Sequence, residues 1–222
     1  MTRGGLFEGQ WLHAAALALL LAAVVAALGW PAFAAGAFLG LTTADWVWLA
    51  VGNALVQQLW VWLCWRAELH GQAMTRRFGA RAFAVYAAPF FVMLALRPIL
   101  AFALGWANRG TLPIGLWAGI AVALVLLAPA ATLMHGIVHH FGFRRAAGAD
   151  HFDPAYREMP LVRAGIFRWT PNAMYTFGFF ILWVPAFLFQ SVAALIVAAL
   201  CHAYIWVHYF ATERPDMRRL YG

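Results

Sequence analysis

Lysine is absent from this 222-residue chain: all 15 basic residues are arginine, set against 8 aspartates and glutamates. Charged residues make up only 10% of the sequence, where a soluble domain carries about a quarter. That scarcity excludes a water-soluble globular enzyme and a disordered segment. Cysteine is nearly absent too. The two present, Cys64 and Cys201, lie in apolar stretches without CxxC spacing, which excludes a disulfide scaffold and predicts two small packed hydrophobes. Alternating strand patterns and Gly-Asn turns are scarce, which argues against a β-barrel. What is abundant is apolar: 65% of residues are hydrophobic and mean hydropathy is +0.76. The composition predicts an all-α, polytopic transmembrane helical bundle, a single integral membrane domain over residues 1–222. The net charge of +7 is then read as orienting basic loops rather than as a nucleic-acid surface, so no nucleic-acid partner is expected.

Charge-free intervals mark the spans. Nothing charged lies between Glu8 and Asp45, Asp45 and Arg66, Arg109 and Arg144, or Arg168 and Glu213. The last interval would be about 66 Å long as one helix, twice the roughly 30 Å of hydrocarbon. It must fold as a hairpin, and Gln190-Ser191 is the polar pair near its middle. About six spans follow, at 11–30, 46–66, 82–105, 112–136, 173–189 and 192–211, with the last two as the hairpin. Arginines crowd the loops after spans two and four and the tail, and are scarce in the other connections. The positive-inside rule then puts both termini in the cytoplasm, in a bacterial inner membrane.

Three local expectations accompany this scheme. Residues 12–34 have some character of a signal peptide, with Ala32-Phe33-Ala34 as an A-x-A site, but the long apolar run and Glu8 favour a retained span. Arg97, inside span three, is expected to snorkel to the outer surface. Asp153-Pro154 predicts an N-cap followed by a short interfacial helix over 154–163.

The polar residues that topology does not explain fall at the basic end. They are the run His135-Gly136-Ile137-Val138-His139-His140, the segment from Gly165 to Tyr175, and the tail from Glu213 to Gly222. The segment and the tail flank the terminal hairpin, so its two ends bring them to one membrane face. The order Gly165-Ile166-Phe167-Arg168, Asn172-Ala173-Met174-Tyr175, a helical hairpin, then Glu213-Arg214-Pro215 and a closing Tyr221-Gly222 resembles the integral-membrane phospholipid methyltransferases. The wider group includes the isoprenylcysteine carboxyl methyltransferases. The resemblance covers about the last 60 residues. The family's usual Asn-Pro-Met-Tyr is Asn-Ala-Met-Tyr here, and its Glu-Glu is Glu213-Arg214.

The resemblance implies S-adenosylmethionine as cofactor, held by Arg168, Asn172, Tyr175, Glu213 and Arg214 within a C-terminal part, 137–222. It also implies a lipid acceptor taken from the bilayer, with the amine of phosphatidylethanolamine or its methylated derivatives first among them. An arginine suits the cofactor's carboxylate, a glutamate its ammonium and ribose hydroxyls, and an aromatic ring its adenine. Each residue also has a plain reading: anchoring for the arginines, a helix N-cap for Asn172, an interfacial belt for Tyr175. Methylating an amine needs a base, because its pKa lies near 10, as for lysine. His139, His140 and His208 are the candidates. No metal site is expected.

Other readings stay open. An isoprenylcysteine carboxylate or a small thiol would use the same cofactor. His135-x-x-x-His139-His140 matches one histidine box of the membrane di-iron desaturases and hydroxylases, though such enzymes carry about three. A non-catalytic membrane protein would leave the polar clustering unexplained.

Overall fold

In the computed structural model, which describes residues 3–222, the chain is a helical bundle. Five stretches are long and apolar enough to cross a membrane: Gly5–Leu28, Thr43–Gly71, Ala73–Ala107, Leu116–Phe141 and Val192–Tyr221. The expected fifth span is a shorter apolar helix, Met174–Leu188, about 22 Å in length. The regular α-helical parts are α1 (Gln10–Leu28), α2 (Thr43–Gly71), α3 (Ala82–Ala107), α4 (Leu116–Gly136), α5 (Phe180–Leu188), α6 (Val192–His208) and a tail helix α7 (Arg214–Tyr221).

The terminal hairpin forms where its polar pair predicts. Gln190 takes a left-handed conformation, φ 55°, and the Ser191 side chain accepts a hydrogen bond from the Ala194 N–H to start α6. Along α6, Ala194, Val197, Ala198, Cys201, Tyr204, Ile205 and His208 are all buried, a stripe at helical spacing. Its small residues let neighbouring backbones approach closely, and α6 is the central helix, packed by α1, α2, α3 and α5. Both cysteines are buried free thiols. The helix α4 stands to one side: it packs on α5 and makes little contact with α3.

The arginine-poor end is knitted by one residue. Asn108 is buried, and its side-chain N–H groups donate to the carbonyls of Ala32 (2.7 Å) and Ala35 (3.3 Å). Its Oδ1 accepts from Ser191 Oγ (3.0 Å), the Ala193 N–H (2.9 Å) and Thr111 Oγ1 (2.8 Å). Three connections far apart in sequence are thereby fixed to one another. In the first of them a two-residue hairpin pairs Ala37–Phe38 with Leu41–Thr42. Thr42 and Asp45 then form a reciprocal capping box that starts α2.

Two expectations at the other end are corrected. The helix predicted over 154–163 is a single turn, Pro154–Tyr156. Asp153 does cap it, accepting from the Ala155 N–H at 3.0 Å, but Pro160 blocks helical continuation in the segment beyond. The second span does not stop at Arg66. It runs on to Gly71, because Arg66 is satisfied inside the protein and Glu68 accepts the N–H groups of Met74 and Thr75, at 3.0 Å each.

Candidate functional site

Three π-helical turns interrupt the bundle: Ile137–Phe141, Met174–Gly178 and Tyr209–Glu213. Such turns widen a helix by one residue, re-aim its side chains and collect at functional sites. Each of the three holds residues that the sequence singles out: His139 and His140, then Tyr175, then Glu213. The terminal hairpin brings the second and third together. The Tyr175 hydroxyl donates to a Glu213 carboxylate oxygen, and the Tyr175 ring meets Tyr209 at 5.5 Å and Trp206 at 6.0 Å between centroids. Trp206 and Tyr209 stand edge to face at 5.7 Å. The result is a carboxylate bonded to one of three electron-rich rings packed on each other, an arrangement that suits a cationic ligand.

The other predicted residues are placed differently. His208 is buried, and neither ring nitrogen has a partner. Arg168 and Arg214 are exposed, each guanidinium lying over an aromatic ring, Trp169 at 5.2 Å and Phe210 at 5.8 Å. The Asn172 side chain does not form the helix cap of its plain reading. Its backbone carbonyl accepts from Tyr175 and Thr176, while its N–H donates to Thr170 Oγ1 at 3.1 Å. His139 and His140 are exposed. His139 lies 4.2 Å from His135 between ring centroids, and the edge of His140 lies beside the point where a side chain at Gly165 would begin.

Behind Tyr175 lies a cavity of ≈ 670 Å³. Its walls come from α2, α3, α4, the Met174–Leu182 segment and α6, so it occupies the gap left where α3 and α4 fail to pack on each other. The lining is mostly aliphatic and aromatic. Its polar groups are Gln57, Gln58, Trp65, Arg97, Tyr175 and His208.

Arg97 departs from expectation. It does not snorkel: it is 6% exposed and opens into this cavity. Gln57, at the midpoint of α2, accepts from its Nε, and the ring of Phe179 packs against the guanidinium at 5.3 Å. These contacts hold the side chain within the bundle.

A second polar group closes the arginine-rich end, and the sequence gives little sign of it. Arg66 is fully buried and pairs with Asp216 at 2.8 Å. Its Nη1 donates to the Gly5 carbonyl at 2.5 Å and its Nη2 to the Thr212 carbonyl at 3.3 Å. His151 stacks on Trp65 at 4.2 Å, hydrogen-bonds Asp150 at 3.1 Å and stands 3.6 Å from Asp216. Tyr221 donates to Asp150 at 2.8 Å. The loop, the second helix and the tail are thus locked together beside Glu213. Burial by itself depresses the His151 pKa, but the hydrogen bond to Asp150 and the nearby Asp150 and Asp216 carboxylates outweigh this and raise it. Burial pushes Asp150 up, but hydrogen bonds from His151 and Tyr221 and the His151 charge bring it below its usual value. Asp216 shares one signal with Glu213, an acid at the end of an apolar helix. His151 has none, because only folding brings its loop to Trp65.

Residues 118–222 match the family model described as phospholipid methyltransferase. No curated protein and no solved structure matches the chain. The matched region holds all eight residues singled out in the sequence, while Gln57, Gln58, Arg66 and Arg97 lie outside it.

Proposed function

Taking the phospholipid methyltransferase match of residues 118–222 as premise, we propose that the protein transfers a methyl group from S-adenosylmethionine to a lipid held in the bilayer. The acceptor amine of phosphatidylethanolamine, or of its methylated derivatives, is the leading candidate. The observation that carries this reading is the Tyr175–Glu213 contact, which joins the two motif segments beside an apolar cavity that Tyr175 lines.

The residues fit the cofactor. The rings of Tyr175, Trp206 and Tyr209 offer faces for a sulfonium or an adenine. The Glu213 carboxylate can accept from an ammonium or a ribose hydroxyl, and the exposed Arg168 and Arg214 are free to reach a carboxylate. Asn172 borders the same segment. When bound, S-adenosylmethionine supplies a methyl group activated on a cationic sulfur.

The chain's own residues have two further tasks. The cavity walls exclude water, which disfavours the ammonium form of an amine placed there. His208 lines that cavity with both nitrogens unpartnered, which supports it, in this reading, as the base that takes the proton the amine must lose as the nitrogen–carbon bond forms. His140 and His139 lie on the surface and serve less well. In this reading an acyl chain enters from the membrane between α3 and α4, both of which line the cavity. Both termini and the 140–172 loop face the cytoplasm in this reading. Cysteine labelling at Leu39 and Leu161, both exposed, should then report opposite sides.

Calorimetric titration of the purified chain with S-adenosylmethionine tests the cofactor assignment. One site per chain is expected, and no detectable binding would overturn it.

A further inference from the structure

The Arg97 guanidinium is a buried cation with unused donors. Its Nε is bonded to Gln57, but Nη1 and Nη2 have no partner. Among the described residues lining the cavity, Arg97 is the only aspartate, glutamate, lysine or arginine, so no acidic wall neutralises it. Gln57 marks the midpoint of α2, which puts the charge deep in the bundle, where an unpaired arginine is costly and marks function by default. Gln58 lines the same cavity and is buried with its Oε1 unpartnered. Its amide N–H groups are a further set of donors.

Two parallel N–H donors in a fixed fork match the two oxygens of a carboxylate or phosphate. Apart from Gln57, Trp65, Tyr175 and His208, the rest of the lining is apolar, including Leu94, Leu127 and Phe179. A cavity of ≈ 670 Å³ lies within the usual range for sites that hold small organic ligands. We propose that Arg97, assisted by Gln58, binds the anionic group, carboxylate or phosphate, of an amphiphile whose hydrocarbon part fills the rest of the cavity. The occupant's role as methyl acceptor rests on the function proposed above. Its binding does not, and can be read without cofactor.

The test uses the full chain in nanodiscs of phosphatidylcholine, with fluorescent cis-parinaric acid as the bound probe. Dodecanoate, dodecyl phosphate and dodecanol compete for it. Displacement by at least one of the two anions at concentrations about tenfold lower than dodecanol is expected, and which anion wins identifies the source of the charge. Arg97→Gln should erase that preference while S-adenosylmethionine titration is unchanged. Arg97→Lys, which keeps the charge but loses the fork, should retain part of it. Equal displacement by dodecanol and both anions would overturn the proposal in the unmutated protein alone. So would a preference that survives R97Q, or a fall in S-adenosylmethionine affinity with the competitor order intact, which would assign Arg97 to the cofactor. A chain that prefers the anions but binds no S-adenosylmethionine would retain this site and lose the methyltransferase reading.

Discussion

The Tyr175 hydroxyl donates to the Glu213 carboxylate, linking the π turn that opens the terminal hairpin to the π turn that closes it. A carboxylate held this way is aimed before any ligand arrives, and one bonded to a charged ligand contributes roughly 1.5–3 kcal/mol. Glu213→Ala should therefore weaken S-adenosylmethionine binding about ten- to a hundredfold in calorimetry. Tyr175→Phe, which keeps the ring and removes only the aiming bond, should cost less. Unchanged affinity in Glu213→Ala would make the pair purely structural.

The histidines should separate by position. His208 lines the cavity and His139 is exposed, so His208→Asn should lower turnover at least tenfold with little change in cofactor affinity. His139→Ala should stay close to the parent. Activity should survive a chelator. Equal losses in the two variants would remove His208 from the role of base.

Asp216 is the partner of a fully buried arginine. Removing one member of such a pair leaves an uncompensated charge, at a typical cost of about 3–5 kcal/mol. Asp216→Ala should lower the thermal unfolding midpoint of the detergent-solubilised protein far more than Arg218→Ala, whose side chain is exposed. Similar midpoints for the two variants would show that the pair contributes nothing.

Stability should also depend on pH through the same cluster. The His151 pKa is raised above 6.5, so its contribution is fully present below that value and is lost as pH rises through the folded-state pKa. Asp150 is lowered below 3.8, so its contribution is present above that value and fades only as pH falls through the folded-state pKa. Between pH 6 and 9 the unfolding midpoint should fall, and His151→Asn should flatten that slope. An equal slope in parent and variant would place the titration elsewhere.

What the sequence makes legible follows from length, hydropathy and charge. The hairpin at Gln190-Ser191 is required by membrane thickness, and the meeting of Tyr175 with Glu213 follows from the hairpin. Arg97 and Arg66 are misread because positive-inside reasoning treats each arginine as a surface group. Their burial depends on partners distant in sequence, Gln57 for one and Asp216 for the other. The cavity has no local signature at all. It exists because α3 and α4 diverge, a consequence of how both pack on α5.

The central claim is methyl transfer to a membrane lipid. Its most direct measurement is incubation of the full chain with methyl-labelled S-adenosylmethionine and separate vesicles of phosphatidylethanolamine, its monomethyl derivative and phosphatidylcholine, followed by chromatography of the organic phase. Label should appear in a methylated lipid from at least one of the amine-bearing vesicles, none from phosphatidylcholine, and far less with Glu213→Ala. No labelled lipid from any vesicle, using protein shown to bind the cofactor, would contradict the assignment of the acceptor.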